Sequence, residues 1–355
     1  MMRLKETVLI LFSCFVFTAS VFAQSNDSVE VVRVMSYNVE NFLDYRHDSL
    51  LSLPDTANTK GWNASRYYQK RDNIARVITA VGGWNPPVLV GLCEIQNQRV
   101  LDDLTRYSAL RNLHYKVSHF ESPDPRGIDV ALLYQPKFFK PYQEKPVRIR
   151  FADNPRRHTR DILYVAGKLR NGDTLHVFVN HFPSRLGGEL ESQNARLQVA
   201  AVLRRQVDSL FMLNSGANII IMGDFNDYPD NDSMSRVLRA LPDDAPIAEK
   251  SLFNLCYTTN KAARIGSYKH AGEWGMLDQI VVSSHLLNST ASVFTSGSML
   301  HVFDAPFLLE DDVKWFGKQP FRTYVGMKYH GGFSDHLPVY IDLYVRKRLE
   351  LHPDK

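Results

Sequence analysis

Eight short runs of apolar, largely β-branched residues recur along this 355-residue chain, and a polar cluster bounds each of them. Runs of this length and composition predict β-strands. The predicted strands cover residues 31–37, 88–93, 128–134, 162–169, 175–179, 219–222, 279–282 and 339–345. Because every strand has to bury its apolar side chains against another layer, we expect the chain to fold around β-sheets.

Two segments between these strands carry apolar residues at helical spacing. The first covers residues 65–81 and ends at Gly82-Gly83, and the second covers residues 191–213. Asn171-Gly172-Asp173 forms a turn between the fourth and fifth predicted strands, which predicts a hairpin and therefore antiparallel pairing. The order of elements is thus mixed α and β, without the strict alternation of a purely parallel sheet.

The first 23 residues have the composition of an export signal. Arg3 and Lys5 precede an apolar run that ends in Val21-Phe22-Ala23, and we predict cleavage after Ala23. The run is shorter than the roughly 20 apolar residues that a membrane helix needs, so we expect no stable membrane span. The expected product is a periplasmic or secreted protein, and lipid attachment at Cys14 is the alternative.

The remaining residues, 24–355, fit the size range of one large α/β domain, and we expect a monomer. Cys93 and Cys256 do not belong to a Cys-x-x-Cys pair, which excludes a zinc ribbon and a dithiol redox motif. A disulfide between them and simple burial both remain open. Burial is favoured for Cys93 because it lies in an apolar strand.

The net charge of +4 is too small for the overall field of the protein to bind nucleic acid, so an anionic substrate must be held locally. One local candidate is an arginine-rich stretch, and a solvated basic loop is the alternative. The stretch consists of Arg148, Arg150, Arg156, Arg157, His158 and Arg160. Two long segments, 44–64 and 301–332, are candidate substrate-facing loops or else surface decoration.

Polar side chains follow or precede six of the apolar strands, at positions where α/β folds gather reactive groups. They are Asn38, Glu94, His181, Asp224 with Asn226, Asp278, and Asp335 with His336. Carboxylate and amide oxygens suit hard cations such as Mg²⁺, Mn²⁺ or Ca²⁺. The histidines lack the His-Glu-x-x-His and His-x-His spacings, so a zinc hydrolase is the weaker interpretation.

Seven short motifs surround these positions. They are Ser36-Tyr37-Asn38-Val39-Glu40-Asn41, Leu92-Cys93-Glu94-Ile95, Gly127-Ile128-Asp129-Val130-Ala131-Leu132-Leu133-Tyr134, Asn180-His181-Phe182, Gly223-Asp224-Phe225-Asn226-Asp227, Leu277-Asp278-Gln279-Ile280 and Ser334-Asp335-His336-Leu337-Pro338-Val339. In order and approximate spacing they resemble the motifs of the endonuclease/exonuclease/phosphatase superfamily, the fold of exonuclease III and pancreatic deoxyribonuclease. The resemblance covers residues 31–345 and implies an α/β fold: a four-layer sandwich of two face-packed mixed β-sheets flanked by helices, with the active site at one edge.

The resemblance also implies which residues hold the metal ion and the substrate phosphate. Glu94 resembles the principal metal ligand, and Asn38 and Asp335 resemble its neighbours. The expected ion is Mg²⁺ or Mn²⁺, with Ca²⁺ also compatible. Three further residues resemble phosphate-binding groups, namely Tyr134, Arg160 and Arg322.

The same resemblance assigns the catalytic residues. Asp224 resembles the group that activates or orients the attacking water, and Asn226 resembles the amide that holds the scissile phosphate. His336, oriented by Asp278, resembles the imidazole that faces the developing negative charge, while His181 donates to another phosphate oxygen. These groups supply the base and the charge neutralisation that phosphoester hydrolysis needs.

The implied activity is a metal-dependent phosphoesterase. A nuclease is favoured, because an exported enzyme meets extracellular nucleic acid and the arginine-rich stretch can follow a phosphate backbone. The alternative is a phosphatase or phosphodiesterase acting on an inositol phosphate or a sphingomyelin-type lipid, with Arg322 and Lys328 as phosphate clamps. A non-catalytic binding module is disfavoured, because every catalytic position is filled.

Overall fold

The computed structural model describes residues 29–46, 61–262 and 264–347. The predicted export signal, Cys14 and most of the segment 44–64 lie outside these residues.

The described residues form four α-helices and twenty strands, which we number along the chain. The helices are α1 Ala64–Gly82, α2 Gln98–Tyr107, α3 Glu189–Leu213 and α4 Tyr257–Ala262. The strands are β1 Val29–Phe42, β2 Leu89–Ile95, β3 Lys116–His119, β4 Asp129–Tyr134, β5 Phe139–Val147, β6 Ile162–Leu169, β7 Thr174–His181, β8 Asn218–Asp224, β9 Ala240–Pro242, β10 Leu252–Asn254, β11 Tyr268–His270, β12 Glu273–Gly275, β13 Asp278–Ser283, β14 Val293–Phe294, β15 His301–Val302, β16 Leu309–Asp311, β17 Lys318–Pro320, β18 Tyr324–Val325, β19 Lys328–Tyr329 and β20 Val339–Arg346. Short 3₁₀ turns occur at Ala109–Leu113, Ser284–Leu287, Gly297–Met299 and Pro306–Leu308, and a π turn occurs at Ser233–Val237.

Most of the strands belong to two seven-stranded mixed sheets. The first sheet has the order β14-β20-β1-β2-β4-β3, with β15 also paired to β20. The second sheet has the order β5-β6-β7-β8-β13-β10-β9. In each sheet a central pair is parallel, β1 with β2 and β7 with β8, and antiparallel strands flank it. The remaining short strands form three hairpins.

Three apolar layers explain why the sheets stack. Side chains along a strand point alternately to the two faces of its sheet. In β1, Val34 therefore joins the core between the sheets, whereas its neighbour Met35 joins the core beneath α1 and α2. In β8, Ile220 faces the first sheet and Ile221 faces α3. The result is the expected four-layer sandwich of helix, sheet, sheet and helix.

All eight predicted strands and both predicted helices are present, with ends that differ from the predicted ones by a few residues. Strand β5 was not predicted, because Pro141 and Pro146 interrupt its pattern; both are tolerated since β5 is an edge strand with β6 as its neighbour. Helix α2 was also missed, although Asn97 caps it by accepting a hydrogen bond from the Val100 amide. The segment 301–332 contains the hairpins β16–β17 and β18–β19.

Cys93 and Cys256 are free thiols buried in the core between the sheets, so the disulfide alternative is wrong and simple burial is confirmed. Cys93 lies against the second sheet, with its sulfur 3.2 Å from the Asn180 carbonyl oxygen. Across the described part of the chain, no helix has the length and apolar character needed to cross a bilayer.

His176 in β7 provides a pH-dependent contribution to stability. Its Nδ1 lies 2.9 Å from the Tyr164 hydroxyl oxygen, and burial, with a smaller effect from Lys168, lowers the pKa of His176 to about 4. As the pH falls, the unfolded chain therefore binds a proton at His176 before the folded protein does, because the pKa of an unfolded histidine is near 6.5. We expect wild type to lose about 1 to 2 kcal/mol relative to His176→Gln between pH 7 and pH 4. Denaturant unfolding of both proteins at several pH values measures the difference, and a constant difference would contradict the assignment.

Candidate active site

Polar side chains from both sheets meet at one end of the sandwich around a cavity of about 550 Å³. The strand directions explain the meeting: β2, β7 and β8 end there, while β13 and β20 run the other way and begin there. Six predicted residues line the cavity, namely Glu94, His181, Asp224, Asn226, Asp335 and His336. Asn38 and Asp278 lie directly behind them, each fully buried.

A bulge between β1 and β2 directs Glu94 into the cavity. Asn38 pairs with Cys93 and Phe42 pairs with Ile95, so three residues of β1 oppose one residue of β2. Glu94 and the bulged residues Glu40 and Asn41 have positive φ angles of 68°, 51° and 56°. Such angles cost a non-glycine residue free energy and often occur at functional sites. The Asn41 amide donates to Glu94 Oε2 at 2.8 Å, which fixes the carboxylate.

Gly223 allows Asp224 to lie next to His181. Strands β7 and β8 pair so that His181 is opposite Asp224, and Gly223 has a φ of 139°. A Cβ atom at this position would lie 1.9 Å from the Asn180 carbonyl oxygen, so only glycine fits. His181 Nε2 is consequently 3.6 Å from Asp224 Oδ2.

Asp224 is the centre of the site. Its Oδ2 accepts a hydrogen bond from Asn38 Nδ2 at 3.0 Å, and its Oδ1 accepts one from the backbone amide of Asn226 at 2.8 Å. Burial raises the pKa of Asp224 to about 7, although the charge on His336 opposes the shift. A carboxylate with a pKa close to neutral is suited to accept a proton from water.

His336 and Asp278 form a buried pair. His336 Nδ1 lies 2.6 Å from Asp278 Oδ2, and His336 Nε2 points towards the cavity, 3.9 Å from Asp224 Oδ2. Burial alone would lower the pKa of His336, but the charges of Asp278 and Asp224 raise it well above the usual value. The ring is therefore protonated at neutral pH, and the predicted dyad geometry is present.

His181 has the opposite protonation state. Burial, together with the positive charges of Arg160 and Arg126, holds the pKa of His181 well below its usual value. The ring is neutral at pH 7 and carries one N–H, which reaches the cavity when it is on Nε2. The two histidines thus present one neutral and one charged imidazole to the same space.

The oxygen atoms of Glu94 and Asp335 fit a hard cation. Glu94 Oε1 lies 3.9 Å from His181 Nε2, and Asp335 Oδ1 lies 4.0 Å from His336 Nε2, so both face the cavity. Asn38 is less available, because its amide nitrogen binds Asp224 and its Oδ1 already accepts the Glu40 amide at 3.0 Å. The donor set therefore suits an oxygen-coordinated divalent ion, with Asn38 in a supporting position.

The three predicted phosphate-binding residues have different surroundings. Arg322 lies beside the cavity and donates to Asp335 Oδ2 at 2.8 Å. Arg160 is buried and its guanidinium binds Asp124 and the carbonyl oxygens of His181 and Phe182, so it supports the site from behind. Tyr134 is at the opposite end of β4, packed edge to face on Phe139. The structure therefore does not bring Arg160 or Tyr134 to the cavity.

His119, Glu121 and Asp129 form a second polar cluster at the ends of β3 and β4. The ligand-type atoms of these residues lie within 4.8 Å of one another. Asp129 already accepts hydrogen bonds from Ser122 and lies 3.1 Å from His119 Nε2. Hydrogen bonds between residues at the ends of the two strands account for this cluster.

Several residues of the site were missed from the sequence. Arg126, Arg185 and Tyr268 line the cavity, and Lys70 is buried beneath it. Arg126 and Arg185 stand close to recognised motifs, so proximity to a motif was an available signal.

Tyr268 and Lys70 had no sequence signal, because both reach the site through tertiary contacts. The Tyr268 ring lies 4.8 Å from the His336 ring. Lys70 donates to Thr323 Oγ1 at 2.5 Å and to the Phe333 carbonyl oxygen at 2.6 Å.

The arrangement has the parts that phosphoester hydrolysis requires. A carboxylate with a pKa near neutrality, a protonated imidazole, a neutral imidazole and two further carboxylates, Glu94 and Asp335, share one cavity. Together they can accept a proton from water and neutralise charge on the phosphate oxygens. The fold and site thus define a metal-dependent hydrolase of phosphoester bonds.

The chain belongs to the Endonuclease/Exonuclease/phosphatase family, whose sequence profile matches residues 33–347. This match confirms the resemblance seen in the motifs. Members of the family hydrolyse phosphoester bonds with a divalent metal. A comparison with curated proteins finds no match to the chain.

Several solved structures share the fold at low sequence identity. The human Nocturnin catalytic domain with bound sulfate has a TM-score of 0.54 at 16% identity, over 88% of this chain and 94% of that one. The Bacteroides thetaiotaomicron mannosyl-6-phosphatase has a TM-score of 0.54 at 16% identity, over 88% of this chain and 99% of that one. D. rerio TDP2 complexed with a single-stranded DNA product has a TM-score of 0.51 at 15% identity, over 88% and 98% of the two chains. These similarities establish the four-layer fold.

The Asp278–His336 pair should behave as one unit in catalysis. We expect His336→Ala to lower kcat on the order of 10²- to 10⁴-fold, the range for a charge-stabilising group. Adding Asp278→Asn should cost little more, because groups that act together are strongly non-additive. Hydrolysis of bis(4-nitrophenyl) phosphate measures the rates, and thermal unfolding checks the fold. If the double variant shows the product of the two single losses, the residues act independently.

Proposed function

We propose that the protein is a nuclease that hydrolyses phosphodiester bonds of nucleic acid with a divalent cation. The observation that carries the chemistry is the position of Asp224 Oδ2, 3.6 Å from His181 Nε2 and 3.9 Å from His336 Nε2. A phosphate held between the two imidazoles would have the carboxylate next to its attacking water.

The shape of the site supports a diester substrate. The cavity adjoins a second cavity of about 530 Å³, and Tyr268 and His270 line both of them. The second cavity also contains Trp315, a ring that remains half exposed. A phosphodiester carries an organic group on each side of phosphorus, and the two cavities give room for both. Aromatic rings beside such a path can stack on bases.

Each residue of the site has a separate role in the proposed hydrolysis. Asp224 takes the proton of the attacking water, and Asn226, whose backbone amide donates to Asp224 Oδ1 at 2.8 Å, positions the scissile phosphate. Protonated His336 and neutral His181 donate to non-bridging oxygens of that phosphate, while Asp278 keeps the His336 ring oriented. A divalent ion held by Glu94 and Asp335 would neutralise further negative charge on the phosphate.

We expect the metal dependence of hydrolysis to require the Glu94 carboxylate. Activity should disappear in excess chelator and return with Mg²⁺ or Mn²⁺, and Glu94→Gln should raise the metal concentration for half-maximal rate at least about tenfold. The matched control is Glu249→Gln, which changes an exposed glutamate before β10. Rates across a metal titration give the result. Full turnover in chelator, or an unchanged titration for Glu94→Gln, would place the metal elsewhere or remove it from the reaction.

A phosphatase acting on a small phosphate is the second candidate. A cavity of about 550 Å³ is large enough to enclose a phosphosugar or an inositol phosphate whole. A panel of plasmid DNA, RNA, sphingomyelin, inositol phosphate and mannose 6-phosphate distinguishes the two candidates. Chelator-sensitive cleavage of DNA or RNA supports the nuclease. Release of inorganic phosphate from a monoester, without cleavage of nucleic acid, supports the phosphatase and overturns the nuclease.

We also propose export with cleavage after Ala23, on the strength of the basic start and the apolar run that follows it. N-terminal mass analysis of the protein recovered from outside the cytoplasm should find Gln24 as the first residue. A lipid-modified Cys14 at the N-terminus would show that the other processing route is used.

A further inference from the structure

A basic groove lies at the same end of the second sheet as the active site. Its volume is about 630 Å³, and its basic lining residues are Arg148, Arg150, Arg157 and His158, which define the basic groove. The connection from β5 to β6 forms it, and the pairing of Val147 with Ile162 places that connection at the end where β7 reaches His181. The groove is therefore on the active-site side of the molecule.

The charge of the basic groove is only partly neutralised. Arg148 pairs with Asp161, with 3.2 Å between Nε and Oδ2. The nearby Asp153 accepts hydrogen bonds from Asn194 and Gln198 of α3, and its charge also interacts with Arg157 without forming an ion pair. Among the residues that the structure describes, Arg150 and Arg157 form no ion pair, and no carboxylate lines the groove. Two arginines thus remain available to an anion.

The Arg157 guanidinium is held in place before any ligand arrives. It lies over the Phe151 ring at 4.9 Å from the centroid, and Phe151 is buried in the core beneath α3. Arginine stacked on an aromatic ring keeps its hydrogen-bond donors at the edge of the plane, where they can reach phosphate oxygens. Ordering this side chain on binding therefore costs less entropy than ordering a free surface arginine.

A short turn separates the basic groove from the active-site cavity. Pro123 lines the groove and Arg126 lines the cavity, and the turn between them is closed by the Gly127 amide donating to the Asp124 carbonyl oxygen at 2.9 Å. Arg160 ties this turn to the site, because its guanidinium binds both Asp124 and the His181 carbonyl oxygen. The turn between groove and cavity is thus linked through Arg160 to the backbone of His181.

Arg126 provides a donor between the two spaces. Its Nη2 atom is buried and has no hydrogen-bond partner in the described structure. A buried donor without a partner is unfavourable, and a phosphate oxygen would satisfy it. Arg126 also lies close to Asp124, with 3.6 Å between Nε and Oδ1. Positive charge is therefore present on both sides of the turn, from Arg126 at the cavity and from Arg150 and Arg157 in the groove.

We propose that the basic groove binds the phosphodiester backbone of a nucleic-acid strand, on one side of the phosphate that is cleaved. This inference rests on the proposed nuclease function and adds to it a defined direction for the strand. Arg150 and Arg157 each contact a backbone phosphate, and neither touches the scissile one. The groove then contributes to binding of a polymer and not to hydrolysis of a small diester.

The test compares a long single-stranded oligonucleotide with bis(4-nitrophenyl) phosphate as substrates. We expect Arg150→Gln with Arg157→Gln to raise KM for the oligonucleotide at least about tenfold at moderate salt, with kcat unchanged, and to reduce the slope of log(kcat/KM) against log[salt] by about 1 to 2. The rate on the small diester should not change. Arg111→Gln, which alters an exposed arginine near the far end of the first sheet, is the matched control.

Two outcomes are distinguishable. If wild type cleaves the oligonucleotide and the double variant has the same KM and salt slope, the groove assignment is wrong while the nuclease function stands. If wild type hydrolyses small phosphates but no nucleic acid, the proposed function fails and the groove proposal fails with it. The single variant Arg150→Glu, at an exposed position, repeats the test without disturbing the Phe151 contact.

Discussion

The hydrogen bond from Asn38 to Asp224 joins the two sheets inside the site, and the catalytic geometry depends on it. Asn38 belongs to the first sheet and Asp224 to the second, and both side chains are almost fully buried. Burying a carboxylate is unfavourable unless hydrogen bonds and opposite charge compensate it. Here the Asn38 amide, the Asn226 amide and the charged His336 ring provide that compensation. The compensation is incomplete, and the remaining unfavourable burial of the charged carboxylate raises the pKa of Asp224 to about 7.

A second set of buried charges holds the rim of the cavity. Glu40 accepts the Thr323 amide at 2.6 Å, and its Oε1 lies 3.5 Å from Arg322 Nε. Burial lowers the pKa of Lys70 to about 8, with the negative charge of Glu40 opposing the shift. The bulged residues of β1 are thereby tied to the segment 301–332, which explains why this segment lies against the site. Arg322 consequently reaches Asp335 from a fixed position.

The sequence was sufficient for the fold and for most of the site because both depend on local patterns. Buried strands such as β8 are continuous apolar runs, and reactive residues such as Asp224 occur directly at their ends. Arg160 shows the limit: Arg156 and His158 of the same basic stretch are exposed, yet the Arg160 side chain is buried against Asp124, a contact that only the tertiary fold creates. Tyr134 shows another limit. Its motif predicts strand β4 correctly but does not indicate which end of the strand faces the substrate. The contacts of Lys70 could not be predicted from the sequence for the same reason, since its partners lie more than 250 residues away along the chain.

The order of the strands along the chain has a consequence for biosynthesis. β1 supplies Asn38 and lies between β2 and β20, while the turn before β20 supplies Asp335 and His336. The Ser334 hydroxyl donates to the Asn38 carbonyl oxygen across 296 positions of sequence. Contacts between such distant residues form late, because a long loop must close first. A nascent chain therefore carries no complete catalytic centre until β20 has been made and inserted, and hydrolysis begins only after that step.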